Sequence, residues 1–359
     1  MLHAAALLCA CICGLAASVA ASAADEVFPE PWSSGWSLYV DNDGLLPRGR
    51  DEAYTGGVAL TLSGRRVTRS PWTPYPLLRT INRWTGIEGL GMSGRHVVRN
   101  SVHLGGAAFT PKDVDSRAPV PGDRPYASLL FVSSTRRVVA LDDRTGYQSS
   151  LALGMLGTNI VPAVANAVHE ATGHVEVRGW DNQIADAGEP TANYVLQRYD
   201  TIVLHRQPGG GDYQVQTSVG GSVGFATHLS AGIGVRWGQF DSPWWAFTPD
   251  FAEYISLGTP LSGRLGSVPA GTDYFVWGGI DARYVLYNAL LEGQFRESAL
   301  TYDRDELRSG LLELGLGVTV GDAASGTYLT LALRARTREL RSGDADAPLW
   351  AGIVVSRAY

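Results

Sequence analysis

Residues 228–237 read HLSAGIGVRW, and this stretch decides the fold. Leu229, Ala231, Ile233, Val235 and Trp237 share one face of an extended chain, while His228, Ser230, Gly232, Gly234 and Arg236 share the other. Period-two alternation of this kind is the signature of a β-strand with one apolar face. It returns in LLELGLGVTV, where Leu312, Leu314, Leu316, Val318 and Val320 alternate with polar or small residues. In YLTLALRAR, Leu329, Leu331 and Leu333 oppose Thr330, Ala332, Arg334 and Arg336. A soluble sandwich would bury the apolar face against a second sheet and turn its charges to water. A membrane barrel turns the apolar face to lipid and keeps arginines in a polar lumen, which fits these strands better.

Working outward, the chain ends LWAGIVVSRAY, an alternating strand closed by the aromatic Tyr359. Candidate strands fall at 36–42, 54–64, 98–107, 126–138, 147–157, 191–206, 212–223, 228–238, 272–286, 308–321, 326–338 and 348–358. About twelve is an even count, as single-chain bacterial barrels require. The expected fold is therefore all-β, a transmembrane antiparallel barrel. If both termini are periplasmic, the outward loops include 43–53, 108–125 and 158–190. Residues 239–271, with SPWWAF and several Pro and Gly, form a long periplasmic connection where a short turn is expected. Either they pack against the barrel or the strand count fails there.

The opening MLHAAALLCACICGLAASVAASAAD has no charged side chain before Asp25 and ends in small residues. It reads as a signal peptide over 1–24, cleaved after Ala24, leaving one barrel domain over 25–359. All three cysteines, Cys9, Cys11 and Cys13, lie in that segment. The mature chain then has no thiol chemistry and no disulfide. A lipoprotein cysteine at Cys11 has a poor processing context. A formal charge of −6 with scattered arginines argues against a nucleic-acid partner. Forty-three glycines, ten tryptophans and fifteen tyrosines suit a barrel with aromatic girdles.

The outward loops concentrate polar residues. The first holds Asp41, Asn42, Asp43, Asp51, Glu52 and Thr55; the second Lys112, Asp113, Asp115, Arg117, Asp123 and Arg124; the third His169, Glu170 and Trp180 to Gln183. In the third, PAVANAVHEATG predicts a short helix over 162–173, with Asn166 and His169 on one face. Oxygen donors suit a hard cation such as Ca²⁺, and a nearby histidine could act as a general base. Taken alone, such loops fit solvation and counter-ion binding better. Gly220 to Gly224 match G-x-S-x-G, but in a strand with no helix following, so no nucleophile elbow forms. His103, His174, His205 and His228 lack metal-ligand spacing and read as structural or exposed.

Six blocks carry a resemblance: Asn42-Asp43, Tyr54-Thr55-Gly56-Gly57, Phe109-Thr110-Pro111, Gly122-Asp123-Arg124-Pro125-Tyr126-Ala127, the His169 helix, and Gly179-Trp180-Asp181-Asn182-Gln183. In order and spacing, over nearly all of the mature sequence, the chain resembles the outer-membrane lipid A deacylases, the 3'-O-deacylases. The resemblance implies a twelve-stranded barrel, Ca²⁺ dependence, and hydrolysis of an ester-linked acyl chain of lipid A in lipopolysaccharide at the outer leaflet. It places Asn42, Thr55 and His169 among the catalytic positions and Asp43 at the metal. The family's lysine falls on Lys112, the only lysine in its interval, with Arg117 as the alternative.

On this reading His169 activates water, Asp43 helps hold Ca²⁺, and Lys112 or Arg117 stabilises the oxyanion. The enzyme is expected to be a monomer among outer-membrane lipids. The rival readings are a non-catalytic porin or lipopolysaccharide-binding barrel, and an outer-membrane phospholipase. Strict alternation would put Asn42 and Asp43 on opposite faces, so if both serve one site the strand must end or bulge there.

Overall fold

The computed structural model describes residues 30–46, 54–172, 177–207, 211–247, 271–343 and 346–359; the expected signal segment lies outside them. Twelve antiparallel strands close on themselves, each paired with its sequence neighbours and β1 with β12. They are β1 (Gly35–Asn42), β2 (Gly56–Ser63), β3 (His96–Phe109), β4 (Ala127–Ala140), β5 (Thr145–Leu156), β6 (Glu189–His205), β7 (Asp212–Gly224), β8 (Ala226–Gln239), β9 (Thr272–Asn288), β10 (Gly310–Asp322), β11 (Thr327–Arg336) and β12 (Leu349–Ala358). Among the described residues three α-helices interrupt the connections: α1 (Tyr75–Trp84), α2 (Ile160–Thr172) and α3 (Ala289–Glu292). All twelve sequence-predicted strands are present, with ends shifted by a few residues.

Closure removes every sheet edge, and the alternation decides which face is which. Leu312, Leu314, Leu316, Val318 and Val320 all point outward, with Leu316 61% exposed. Such a band is stable only where lipid covers it. Between them Glu313 is buried in the lumen, where Arg283 and Arg336 approach it at 3.6 and 3.9 Å. Asp281 takes Arg283 Nε at 2.8 Å. Buried charges persist there because they are paired.

The start of β1 and the end of β12 lie at one end, called here the terminal end; the opposite end is the far rim. Near the far rim Tyr54, Phe109, Phe131, Phe225, Leu290 and Trp350 fill the lumen. Toward the terminal end the segment after β8 turns inward. Trp244 and Trp245 pack on Val97 and Val139, and buried Arg236 bonds Ser242 Oγ at 2.9 Å. This resolves the long connection after β8: its first residues fold into the barrel, and the strand count stands. Its remainder, 248–270, lies outside the described residues.

Candidate active site

The far rim is built from the ends of β1 to β4. β1 stops at Asn42, and a single 3-10 turn, Asp43–Leu45, follows with Asn42 as its cap. Asn42 Oδ1 accepts from Gly44 N at 2.6 Å, and its Nδ2 donates to the Thr55 carbonyl at 2.5 Å. The strand therefore ends where alternation would have parted Asn42 from Asp43. Asp43 is buried at the start of the turn. Asp51 and Glu52 lie outside the described residues.

Gly56 lies opposite Asn42. A Cβ there would stand 2.9 Å from Asn42 Nδ2 and 2.7 Å from the Asp41 carbonyl. Glycine is what lets the amide lie across the hairpin to Thr55. Thr55 is fixed twice more, by its N–H on the Ala108 carbonyl at 3.1 Å and by its hydroxyl on Thr110 Oγ1 at 2.7 Å. Thr110 thereby joins the site; its signal was its place in Phe109-Thr110-Pro111.

Register identifies the face. Asn42, Gly56, Ala108 and Ser128 form one row across β1 to β4, in phase with outward-facing Val40 and Val58. The row points away from the lumen, and α2 lies on it. Val161 and Ala165 cluster with Ala108, Tyr126, Val177 and Trp180, and a Cβ on Gly106 would come within 3.1 Å of Val161 Cγ2. His169 follows Ala165 by four residues and Val161 by eight, so it belongs to the wall-facing stripe. It is buried there. Neighbouring strands are spaced about 4.8 Å apart, which sets Asn42 about 10 Å from Ala108 along the row.

Sequence reasoning missed this seat. Gly106, Ala108 and Ser128 are small where a lipid-facing row should be large, and the run Gly105-Gly106-Ala107-Ala108 was the available signal.

The remaining blocks clamp loops. A Cβ on Gly179 would sit 2.2 Å from the Tyr126 ring, and Trp180 packs edge-on against that ring at 5.5 Å. Asn182 Nδ2 donates to the Arg117 carbonyl at 2.6 Å, and Ser128 Oγ to Gln183 Oε1 at 2.7 Å. Tyr126 donates to the carbonyls of Asp113 and Ser116, each at 3.2 Å. Burial, with the nearby Asp113, Asp123 and Asp115 carboxylates, pushes its phenol up to about 12, so it remains a donor. Asp123 accepts the Lys112 and Arg124 amides at 2.8 and 2.6 Å, and Arg124 pairs with Glu339. Asn166 holds Val177 through two 3.3 Å bonds, fixing the chain as it returns beyond α2.

Lys112 directs its ammonium to Asp346 Oδ2 at 2.7 Å, in a pair where both side chains are exposed. Arg117 is exposed. The structure thus gathers Asn42, Asp43, Thr55 and Thr110 at one corner and sets His169 on the adjacent wall, with Lys112 engaged toward the last far-rim loop. Among the other histidines, His103 bonds Thr61 at 2.8 Å inside the barrel and His205 stacks on Tyr213. His228 bonds Ser222 at 2.8 Å. Ser222 lies within β7, so no elbow forms. His174 lies outside the described residues.

Residues 7–359 match the family described as outer membrane protein LpxR. The chain belongs to the LpxR family. Among solved structures, LpxR from Salmonella typhimurium superposes with a TM-score of 0.66 at 19% identity, covering 91% of this chain and 100% of that one. That likeness confirms the twelve-stranded fold. The β domain of the Bordetella autotransporter BrkA gives a TM-score of 0.42 at 13% identity, over 91% of this chain and 100% of that one. No curated protein matches the chain. Membership in the LpxR family places this barrel in the outer membrane.

Proposed function

We propose that this LpxR-family barrel is a lipid A deacylase, a Ca²⁺-dependent ester hydrolase that removes a 3'-acyloxyacyl chain from lipopolysaccharide. One observation carries the reading: the wall-facing stripe of α2 that includes buried His169 lies on the outside of the barrel, in line with the Asn42–Thr55 corner. A substrate would arrive sideways, from the membrane. With the termini periplasmic, the far rim meets the outer leaflet, where lipid A resides.

In this reading His169 takes the proton from water as the water attacks the ester carbonyl, and it returns that proton to the leaving alkoxide. Asn42 and Thr55 hold the corner in shape. Buried Asp43 is the kind of hard oxygen donor Ca²⁺ prefers. Among the described residues no three His, Cys, Asp or Glu side chains gather at one point, so backbone carbonyls and water would complete the shell. Bound there, Ca²⁺ would polarise the ester carbonyl. Lys112 would have to leave Asp346 to act as the cation at the oxyanion. An exposed ion pair contributes only about 0–1 kcal/mol, so that exchange is cheap.

A pore is disfavoured because side chains occupy the lumen near both ends. The phospholipase reading shares the chemistry and differs in substrate. The test is acyl release by the purified barrel in detergent from lipid A and from glycerophospholipid, side by side. Release from lipid A alone is expected; release from glycerophospholipid alone would replace this reading with a phospholipase.

A further inference from the structure

Below the far rim the outer wall of β3 to β6 changes character. The row Leu60, Leu104, Val132, Leu153 and Ala192 lines up across β2 to β6, with Leu104 and Leu153 exposed. One outward row toward the terminal end stand Val102, Ser134, Leu151 and Tyr194, and the next is Asn100, Arg136, Ser149 and Leu196. An arginine and an asparagine on a bare lipid face would be costly. They are buried: Arg136 lies under the connection from Gly64 to Arg95, its Nη2 3.6 Å from Met92 Sδ, and Asn100 is held by buried Glu30, whose carboxylate accepts its backbone N–H at 2.6 Å and its Nδ2 at 2.7 Å. Tyr75 and Leu78 of α1 pack on Leu151, Asn82 bonds Ser149 at 2.8 Å and Tyr194 at 2.9 Å, and Ile87 and Leu90 cover Leu196.

The opposite face of α1 presents Leu77 and Trp84 outward, beside Thr80 and Arg83. Leu77 is 47% and Trp84 87% exposed, and Trp72, just before the helix, is 57% exposed. Residues 64–86 contain five arginines and no carboxylate. Arg79 pairs with Glu88 at 2.8 Å; Arg65, Arg69 and Arg83 are exposed. Arg69 lies over the Trp32 ring at 5.5 Å. On β7 to β9 the same end of the barrel carries exposed Tyr213, Trp237 and Tyr274, an interfacial girdle. Trp72 and Trp84 add exposed indoles over the part of the wall that itself turns polar.

We propose that α1 and its flanks form an in-plane membrane anchor: Leu77, Trp72 and Trp84 sit in the inner leaflet, and the arginines bind anionic phospholipid headgroups. A helix whose outer face exposes Leu77 and Trp84 beside Arg83, with no acid in it, fits that interface. The wall beneath it is also the wall that carries α2, so the anchor sets the depth at which the far-rim site meets the bilayer. The leaflet assignment rests on the orientation used for the proposed function, but the test needs no enzymatic turnover and can fail separately.

With the native Cys9, Cys11 and Cys13 replaced by serine, single introduced cysteines report depth. An environment-sensitive fluorophore on L77C or W84C, in phosphatidylcholine vesicles containing brominated lipid, is expected to be quenched several-fold more than one on A118C in an exposed far-rim loop. Native mass spectrometry from vesicles containing phosphatidylglycerol should show that lipid retained by the parent, and retention falling several-fold in R65Q/R69Q/R83Q. Quenching at L77C and W84C no greater than at A118C would overturn the anchor. Equal retention of phosphatidylglycerol by the parent and the triple variant would overturn its headgroup specificity.

Discussion

His169 owes its direction to Val161 and Ala165, respectively two turns and one turn before it, which fix the wall-facing stripe of α2. H169Q preserves that packing and removes the proposed base. Acyl release should fall roughly a hundredfold or more while Ca²⁺ affinity holds, as measured by turnover and calcium titration. H174Q serves as the neighbouring control and should retain activity. D43A should weaken both Ca²⁺ binding and turnover, whereas a D43A enzyme fully active in chelator would remove Asp43 from any metal role. At this scale the sequence showed which residue types belong together. It could not show that Asn42 spends both ends of its amide on the hairpin, or that the Lys112 ammonium points to Asp346, because both depend on loops that meet only after the barrel closes.

The elements owe their placement to small side chains. α2 can lie on the wall because Gly106 and Ala108 leave room for Val161, and its loop can return because Gly179 admits the Tyr126 ring. A108L should lift α2 and abolish acyl release while the barrel still shows its folded, heat-sensitive gel migration. G179A should cost about 1–3 kcal/mol of local stability through overpacking, seen as faster proteolysis in the third far-rim loop with the strands protected. Strands were legible because period-two alternation is a local property. The seat of α2 was not, because a run of small residues in a strand has no reading until the partner helix is known. The position of α1 over a polar outer wall was hidden for the same reason: Asn100, Arg136 and Ser149 look lumenal by type but face outward by register.

At the scale of the whole molecule, a closed barrel with an apolar outer band and a filled lumen is a membrane-embedded scaffold, and the proposed chemistry lies on its lipid side. The protein should fractionate with outer membranes and support no ion conductance in planar bilayers, since Trp244, Trp245 and the Tyr54–Phe109–Trp350 cluster occupy the lumen near its two ends. A steady channel current would favour the porin reading. The central claim, that the α2 corner hydrolyses an acyl ester of lipid A, is tested most directly by mass spectrometry of lipid A from cells expressing the parent chain or H169Q. The parent should shift lipid A down by the mass of the 3'-acyloxyacyl group, and H169Q should leave it unshifted. Lipid A unchanged by the well-folded parent, or shifted equally by both chains, would contradict it.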